Sequence, residues 1–198
     1  MAALRQSEHT FLLRLLDAIP RRKHSFDAAA VRARGQGILD GSGLGLQGYA
    51  SARLESIQAT DGSCIFDVTV RFSALGADFL VMVECKHERH KVERQDVQIL
   101  HAKLVSTGAQ KAMLFSIAGF QSGAMEYAAS HGIALVQLPN GSSTWFTKRF
   151  GPPVAAPPGM DIPEYVGWWY EGDRRSVMSS GVGKFTRQAL GISVNEAR

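Results

Sequence analysis

Asp67, Glu84 and Lys86 have types and spacing suited to metal-assisted catalysis. Glu84 and Lys86 stand two positions apart at the end of a segment, 79–86, that is almost wholly apolar until Glu84. Along an extended strand, residues i and i+2 project to the same side. Glu84 and Lys86 therefore share a face, and Cys85 points into the opposite layer. Asp67 lies on the preceding strand-like segment, and a turn around Gly76 allows it to come back beside Glu84. Two carboxylates at one strand end suit a hard divalent cation such as Mg²⁺. Such an ion activates water and neutralises charge developing on a phosphate, while a neighbouring lysine holds the water or stabilises the pentavalent phosphorus. Charges ending a buried strand are costly unless paired or bound. An inert Glu84–Lys86 ion pair meets that requirement equally well, and spacing alone does not separate the two readings.

The elements that must position these residues follow from periodicity. Apolar positions at helical spacing predict a helix over 4–19, ended by Pro20, and a short second helix over 26–34. The glycine-rich stretch 35–48 is expected to be a loop. Strands are predicted over 49–59, 64–72 and 79–86, with Asp61-Gly62 as a tight turn. On the second strand, Ile65, Asp67, Thr69 and Arg71 are expected on one face, and Phe66, Val68, Val70 and Phe72 on the other. A helix over 92–107 places Val97, Leu100 and Leu104 together and stops at Gly108. Strand, helix and strand follow over 112–117, 121–130 and 133–138. A three-stranded meander followed by alternating helices and strands implies an α/β fold with a mixed sheet flanked by helices. Pro152, Pro153, Pro157 and Pro158 mark a linker or strap. Two units are expected: a domain over 1–150, and an extension over 151–198 that packs on the core or on a partner. In that extension Trp168, Trp169 and Tyr170 are read as packing anchors, and a short helix is expected near 184–190.

A formal charge of +4 and a pI of about 9.3 permit a polyanionic partner without requiring one. Arg21-Arg22-Lys23, with Arg32 and Arg34 beyond, is the candidate phosphate-contacting stretch. No apolar run has transmembrane length and no signal-peptide pattern opens the chain, so a cytoplasmic protein with reduced Cys64 and Cys85 is expected. Cys85 reads as a buried core thiol. His87, Glu88 and His90 are read as a solvated loop, with His87 and Arg89 as candidate phosphate contacts. Gln98 is the candidate site-facing residue of the following helix. Gly43-Leu44-Gly45-Leu46-Gln47-Gly48 matches G-x-G-x-x-G, yet a strand follows it where the dinucleotide fingerprint needs a helix.

Resemblance separates the two readings of the Glu–Lys pair. Asp67, then Glu84-x-Lys86, then helix and strand, resembles the PD-(D/E)XK nuclease superfamily with its restriction-endonuclease-like fold. Lys111-Ala112-Met113-Leu114-Phe115-Ser116, then Gly119-Phe120-Gln121-Ser122-Gly123-Ala124, then Tyr127-Ala128 and His131-Gly132-Ile133-Ala134-Leu135, is similar to the Mrr-like branch. The resemblance spans about 49–138. It implies that Asp67 and Glu84 are metal ligands, that Lys86 is the catalytic lysine, and that Mg²⁺ is the cofactor, with Mn²⁺ able to substitute. Many members use a further glutamate from the leading helix; Glu8 and Glu55 are the candidates. Members of this branch often carry Gln-x-Lys where this chain has Glu84-x-Lys86. The function implied is a DNA endonuclease of restriction or anti-phage defence, acting as a homodimer or as a subunit beside a partner protein, away from membranes. A silent nucleic-acid-binding or scaffolding module of the same fold, and a Holliday-junction-resolvase-like repair nuclease, are the alternatives.

Overall fold

The computed structural model describes residues 27–42, 46–74, 76–139, 165–172, 174–181 and 183–192. The elements in chain order are α1 (Ala28–Ser42), β1 (Gln47–Ala59), β2 (Gly62–Ala74), β3 (Ala77–Lys86), α2 (Arg94–Thr107), β4 (Lys111–Ser116), α3 (Ser122–Ser130), β5 (Ala134–Gln137), β6 (Val166–Glu171), β7 (Arg174–Ser179) and α4 (Gly183–Ala189). The strands form one mixed sheet in sequential order from β1 to β7. The first three make an antiparallel meander. β3, β4 and β5 run parallel through the α2 and α3 crossovers, and β6 and β7 return antiparallel.

Each face of the sheet has its own core. Val70, Val83, Met113, Phe115 and Val136 pack with Val31, Ile38 and Leu39 of α1 and Ala189 of α4. Phe66, Met82, Leu114 and Leu135 pack with Val97 and Leu100 of α2 and Ala124 and Ala128 of α3. Burial on both faces explains why β4 reads as a continuous apolar run. The mixed sheet flanked by helices agrees with the restriction-endonuclease-like expectation.

Three local expectations need correction or completion. The first concerns 35–48: α1 does not stop at 34 but runs to Ser42, so Gly35, Gly37 and Gly41 are helical rather than part of a loop. Asp27 caps the start, its Oδ1 accepting the Ala30 N–H at 2.7 Å. Each interior glycine weakens a helix by about 1 kcal/mol relative to alanine. Here close packing requires it: a Cβ on Gly37 would lie 2.3 Å from the Tyr165 ring, and one on Gly41 would lie 2.1 Å from the Ser180 carbonyl oxygen. The second concerns the tail. Trp168, Trp169 and Tyr170 form β6, hydrogen-bonded to β5 through the Leu135↔Tyr170, Val136↔Trp169 and Gln137↔Trp168 pairs, so they extend the sheet as well as anchoring it. The third, the face alternation of β2, belongs to the site below. The helix expected over 4–19 and part of the G-x-G-x-x-G string lie outside the described residues.

Glycine packing in α1 yields a stability test. Gly41→Ala meets backbone and is expected to destabilise by at least about 1 kcal/mol net, since overpacking costs about 1–3 kcal/mol against the helix-propensity gain. That lowers Tm by about 2–4 °C or more in a chain of this size. Gly35→Ala, whose Cβ would meet only the Phe115 ring at 3.4 Å, is expected to leave Tm unchanged or raise it. Thermal unfolding followed by circular dichroism compares the two.

Candidate active site

The site forms where β2 and β3 part. Their ladder runs from Ala74↔Ala77 to Val68↔Val83 and goes no further. The next N–H that would need a partner, that of Cys85, is taken by a side chain instead: Asp67 Oδ2 accepts it at 2.8 Å. The Asp67 carboxylate therefore lies between the two strands as they diverge, fixed to the backbone of the segment that bears Glu84.

The parting coincides with a break in face alternation. Phe66 belongs to the α2-side core, whereas Val68, Val70 and Phe72 belong to the α1-side core. The strict alternation expected for β2 is thus broken at Asp67. β1 breaks at the matching place: Ser51 and Arg53 bond to Gln36 of α1, while Ile57 joins the α2-side core. Leu54 lies between them with φ +51°, and no other described non-glycine residue has positive φ. Arg53↔Val68 and Glu55↔Phe66 pair on either side of it. Such a conformation is uncommon for a branched side chain and persists only when its surroundings hold it.

Glu84 and Lys86 face α2, and Cys85 is buried in the α1-side core, as strand period requires. Each charged group of the triad has a partner supplied by a neighbouring helix. Lys103 Nζ donates to Glu84 Oε1 at 2.5 Å and lies 5.5 Å from the centre of the Phe66 ring. Lys86 Nζ donates to Asp96 Oδ1 at 3.0 Å. Arg32 of α1 places Nε 2.7 Å from Asp67 Oδ1, an ion pair whose angle is not that of a hydrogen bond. Glu84, Lys86, Asp96, Ile99, Leu100, Lys103 and Leu114 line a cavity of about 50 Å³.

Electrostatics follow from burial and these pairings. Burial raises the Glu84 carboxyl above its usual value, and the Asp67 charge adds to this; Lys103 opposes both. Burial disfavours the Lys86 ammonium, but the hydrogen bond and charge of Asp96 outweigh it and the net shift is upward. Burial likewise tends to raise Asp96, yet Lys86 and the Glu93 N–H bring it below the ordinary carboxylate range. The Cys85 thiol is pushed well up, first by burial and then by Asp67 and Glu84, so it is a poor nucleophile.

Asp96 also builds the start of α2. Its Oδ2 accepts the Glu93 N–H at 3.0 Å as half of a capping box, so one carboxylate both caps the helix and holds Lys86. The Gly119-Phe120 turn pins the loop between Lys86 and α2. Gly119, at φ +81°, presents its carbonyl to Val92 N–H at 3.0 Å, and the Gln121 N–H bonds back to the Val92 carbonyl at 3.0 Å.

The remaining sequence candidates are distributed as follows. Glu55 accepts from Thr69 Oγ1 and, at 2.6 Å, from Arg71 Nη1. The Arg71 hydrogen bond lowers its pKa, and it does not line the cavity. Gln98 is exposed and off the site: α2 turns Asp96, Ile99, Leu100 and Lys103 to the cavity, and Gln98 falls outside that face. His87 and Arg89 are exposed on the loop after β3. Glu8, Arg21, Arg22 and Lys23 lie outside the described residues. Asp96 and Lys103 are the site residues that sequence reading missed. Their available signal was the Glu93-x-x-Asp96 capping pattern and the seven-residue spacing from Asp96 to Lys103, which puts both on one face of a helix.

A family model described as restriction endonuclease, the Mrr catalytic domain, matches residues 41–140, just over half the chain. The chain belongs to this family. The match covers Asp67, Glu84 and Lys86 and also Asp96, Lys103 and the Gly119-Phe120 turn. The chain is similar to the crystal structure of a protein of unknown function at 21% identity and a TM-score of 0.41, over 50% of this chain and 55% of that one. The chain thus spans about half the length of that structure. No curated protein matches it. Among the described residues no helix is long and apolar enough to cross a membrane.

Nucleases of this superfamily are generally dependent on a divalent metal, and the donors here fit one. Asp67 and Glu84 supply hard carboxylate oxygens on adjacent strands; Glu84 lines the cavity, and Asp67 sits outside its lining, on the Cys85 N–H. Among the described residues no cluster of three or more His, Cys, Asp or Glu side chains is placed to hold an ion. A cation here would complete its shell with water or substrate oxygens.

The double role of Asp96 is separable. Asp96→Ala loses the cap as well as the ion pair and is expected to cost about 1 kcal/mol or more. Asp96→Asn keeps an oxygen for the Glu93 N–H and loses only the charge. Because the folded-state pKa of Asp96 is lowered, its contribution is present above the ordinary carboxylate pKa, about 4, and is lost as pH falls through the folded value. Both variants should therefore show a flatter loss of stability below about pH 4 than wild type. Only Asp96→Ala should be clearly less stable at low pH as well. Denaturant unfolding across pH 3–7 checks both statements.

Proposed function

We propose that this chain is a Mg²⁺-dependent DNA endonuclease that hydrolyses phosphodiester bonds in restriction or anti-phage defence. What supports the reading most is the anchoring of the Asp67 carboxylate on the Cys85 N–H, between Glu84 and Lys86 in the chain, within a span matched by the restriction endonuclease family. Asp67 and Glu84 are the residues that hold the metal. Mg²⁺, when bound, supplies Lewis-acid polarisation of the phosphate and a water of lowered pKa. Lys86, oriented by Asp96, donates to a non-bridging phosphate oxygen as negative charge grows there. The depth of Glu84 and Lys86 strengthens these interactions relative to open water. One such centre cuts one strand, so a double-strand break calls for a second copy or a partner subunit.

The test is nicking of supercoiled plasmid with and without Mg²⁺, and with EDTA. Lys86→Ala is expected to slow nicking by about 10²–10³-fold, the usual loss for a donor to developing charge. Asp67→Asn and Glu84→Gln should do at least as much. A Lys86→Ala protein that nicks as fast as wild type in Mg²⁺ would defeat the proposal. Wild type that never cuts yet binds DNA would favour a silent binding module. Faster cutting of a four-way junction than of linear duplex would shift the reading to a resolvase.

A further inference from the structure

We propose that Arg32 and Lys103 are built-in counter-ions that make metal binding at Asp67 and Glu84 conditional on a DNA phosphate. The inference rests on the nuclease reading of the same site and adds its regulation. Three ion pairs meet around the end of β3: Arg32–Asp67, Lys86–Asp96 and Lys103–Glu84. Within these three pairs the charges of three acids and three bases cancel. The side chains are between 19% and 32% exposed, so water screens them only in part.

The two expected metal ligands are the ones bound to Arg32 and Lys103. Lys103 is held at 2.5 Å by Glu84, and its Nζ lies over the Phe66 ring, 5.5 Å from the ring centre. The Nε of Arg32 is buried, and its short contact is with Asp67. A divalent ion entering alone must compete with an ammonium and a guanidinium for the same carboxylate oxygens. It would also add two positive charges to partly buried pairs that are already balanced. Burying unbalanced charge is unfavourable. A phosphodiester arriving with the ion brings negative charge and new oxygen acceptors. Arginine and lysine bind those oxygens well once released from the carboxylates. Metal and DNA should therefore bind with positive coupling, and by linkage each should raise the affinity of the other by the same factor.

The two helices are placed for this exchange. Arg32 comes from α1 on one face of the sheet and Lys103 from α2 on the other. They flank the parting of β2 and β3 from both sides.

Calorimetric titration with Ca²⁺ tests the idea, using the full chain with and without a short DNA duplex, and a gel of each sample to confirm that the duplex stays intact. For wild type the Ca²⁺ dissociation constant is expected to fall about tenfold or more when the duplex is present, a usual size for such coupling. Lys103→Met should bind Ca²⁺ about tenfold more tightly than wild type without DNA, and the duplex should then change that affinity by a smaller factor than in wild type, since only Arg32 still competes. Lys103→Arg, which keeps the charge, should retain the wild-type pattern. Arg32→Met gives an independent reading on the other carboxylate should Lys103→Met fail to fold. Wild-type affinity that does not respond to DNA, or coupling left intact in both Met variants, overturns the inference. If wild type nicks plasmid but shows no coupling, only the counter-ion idea fails. If wild type binds no divalent ion with or without DNA and cuts nothing, the nuclease reading fails with it.

Discussion

The Cys85 N–H has its partner in the carboxylate of Asp67 rather than in a carbonyl of β2. That exchange ends the β2–β3 ladder at Val68↔Val83 and lets the strands separate. A buried backbone donor needs an acceptor, and here the acceptor is charged. Asp67 is thereby locked to the segment that presents Glu84 and Lys86, and the carboxylate geometry becomes a property of the backbone. The face reversal at Leu54 and Asp67 belongs to the same event. β1 and β2 reverse together, so their mutual register is the same on both sides of the break.

Around that point the protein surrounds charge with charge. Asp67, Glu84 and Lys86 each meet an opposite charge from a flanking helix, which offsets the penalty of placing ionised groups at the end of a buried strand. The helices are therefore more than cover for the sheet. Through Asp96, α2 ties its own N-terminus to Lys86, so the position of the lysine and the start of the helix are one constraint. The Gly119-Phe120 turn secures the loop that leads there.

Away from the site, the same sheet continues through β6 and β7. Trp169, Met178, Ala189 and Leu190 add to the core beneath α1, and Tyr165 and Ser180 press against its glycines. The helix that delivers Arg32 to Asp67 is thus seated partly by residues more than a hundred positions later in the chain. Residues outside the family-matched span contribute to the setting of the charge cluster.

Local rules made much of the protein legible in the sequence. Glu84 and Lys86 share a face, and Cys85 opposes them, because strand alternation is a nearest-neighbour property. The order of elements from β1 to β5 and the Gly108 helix stop followed from periodicity and glycine for the same reason, and the family was legible separately, through the resemblance of its motifs. Tertiary structure decided what depends on contacts distant in sequence. Asp67 sits between strands rather than on a face because its acceptor role arises only where β2 meets β3. Lys103 and Asp96 face the cavity, and Gln98 does not, because the rotation of α2 is set by how Val97 and Leu100 seat in the core. Gly35, Gly37 and Gly41 read as a loop because helix propensity counts against them. Their helix persists because α1 packs on the core, and Gly37 and Gly41 let it approach Tyr165 and Ser180 closely, a packing that no local pattern announces.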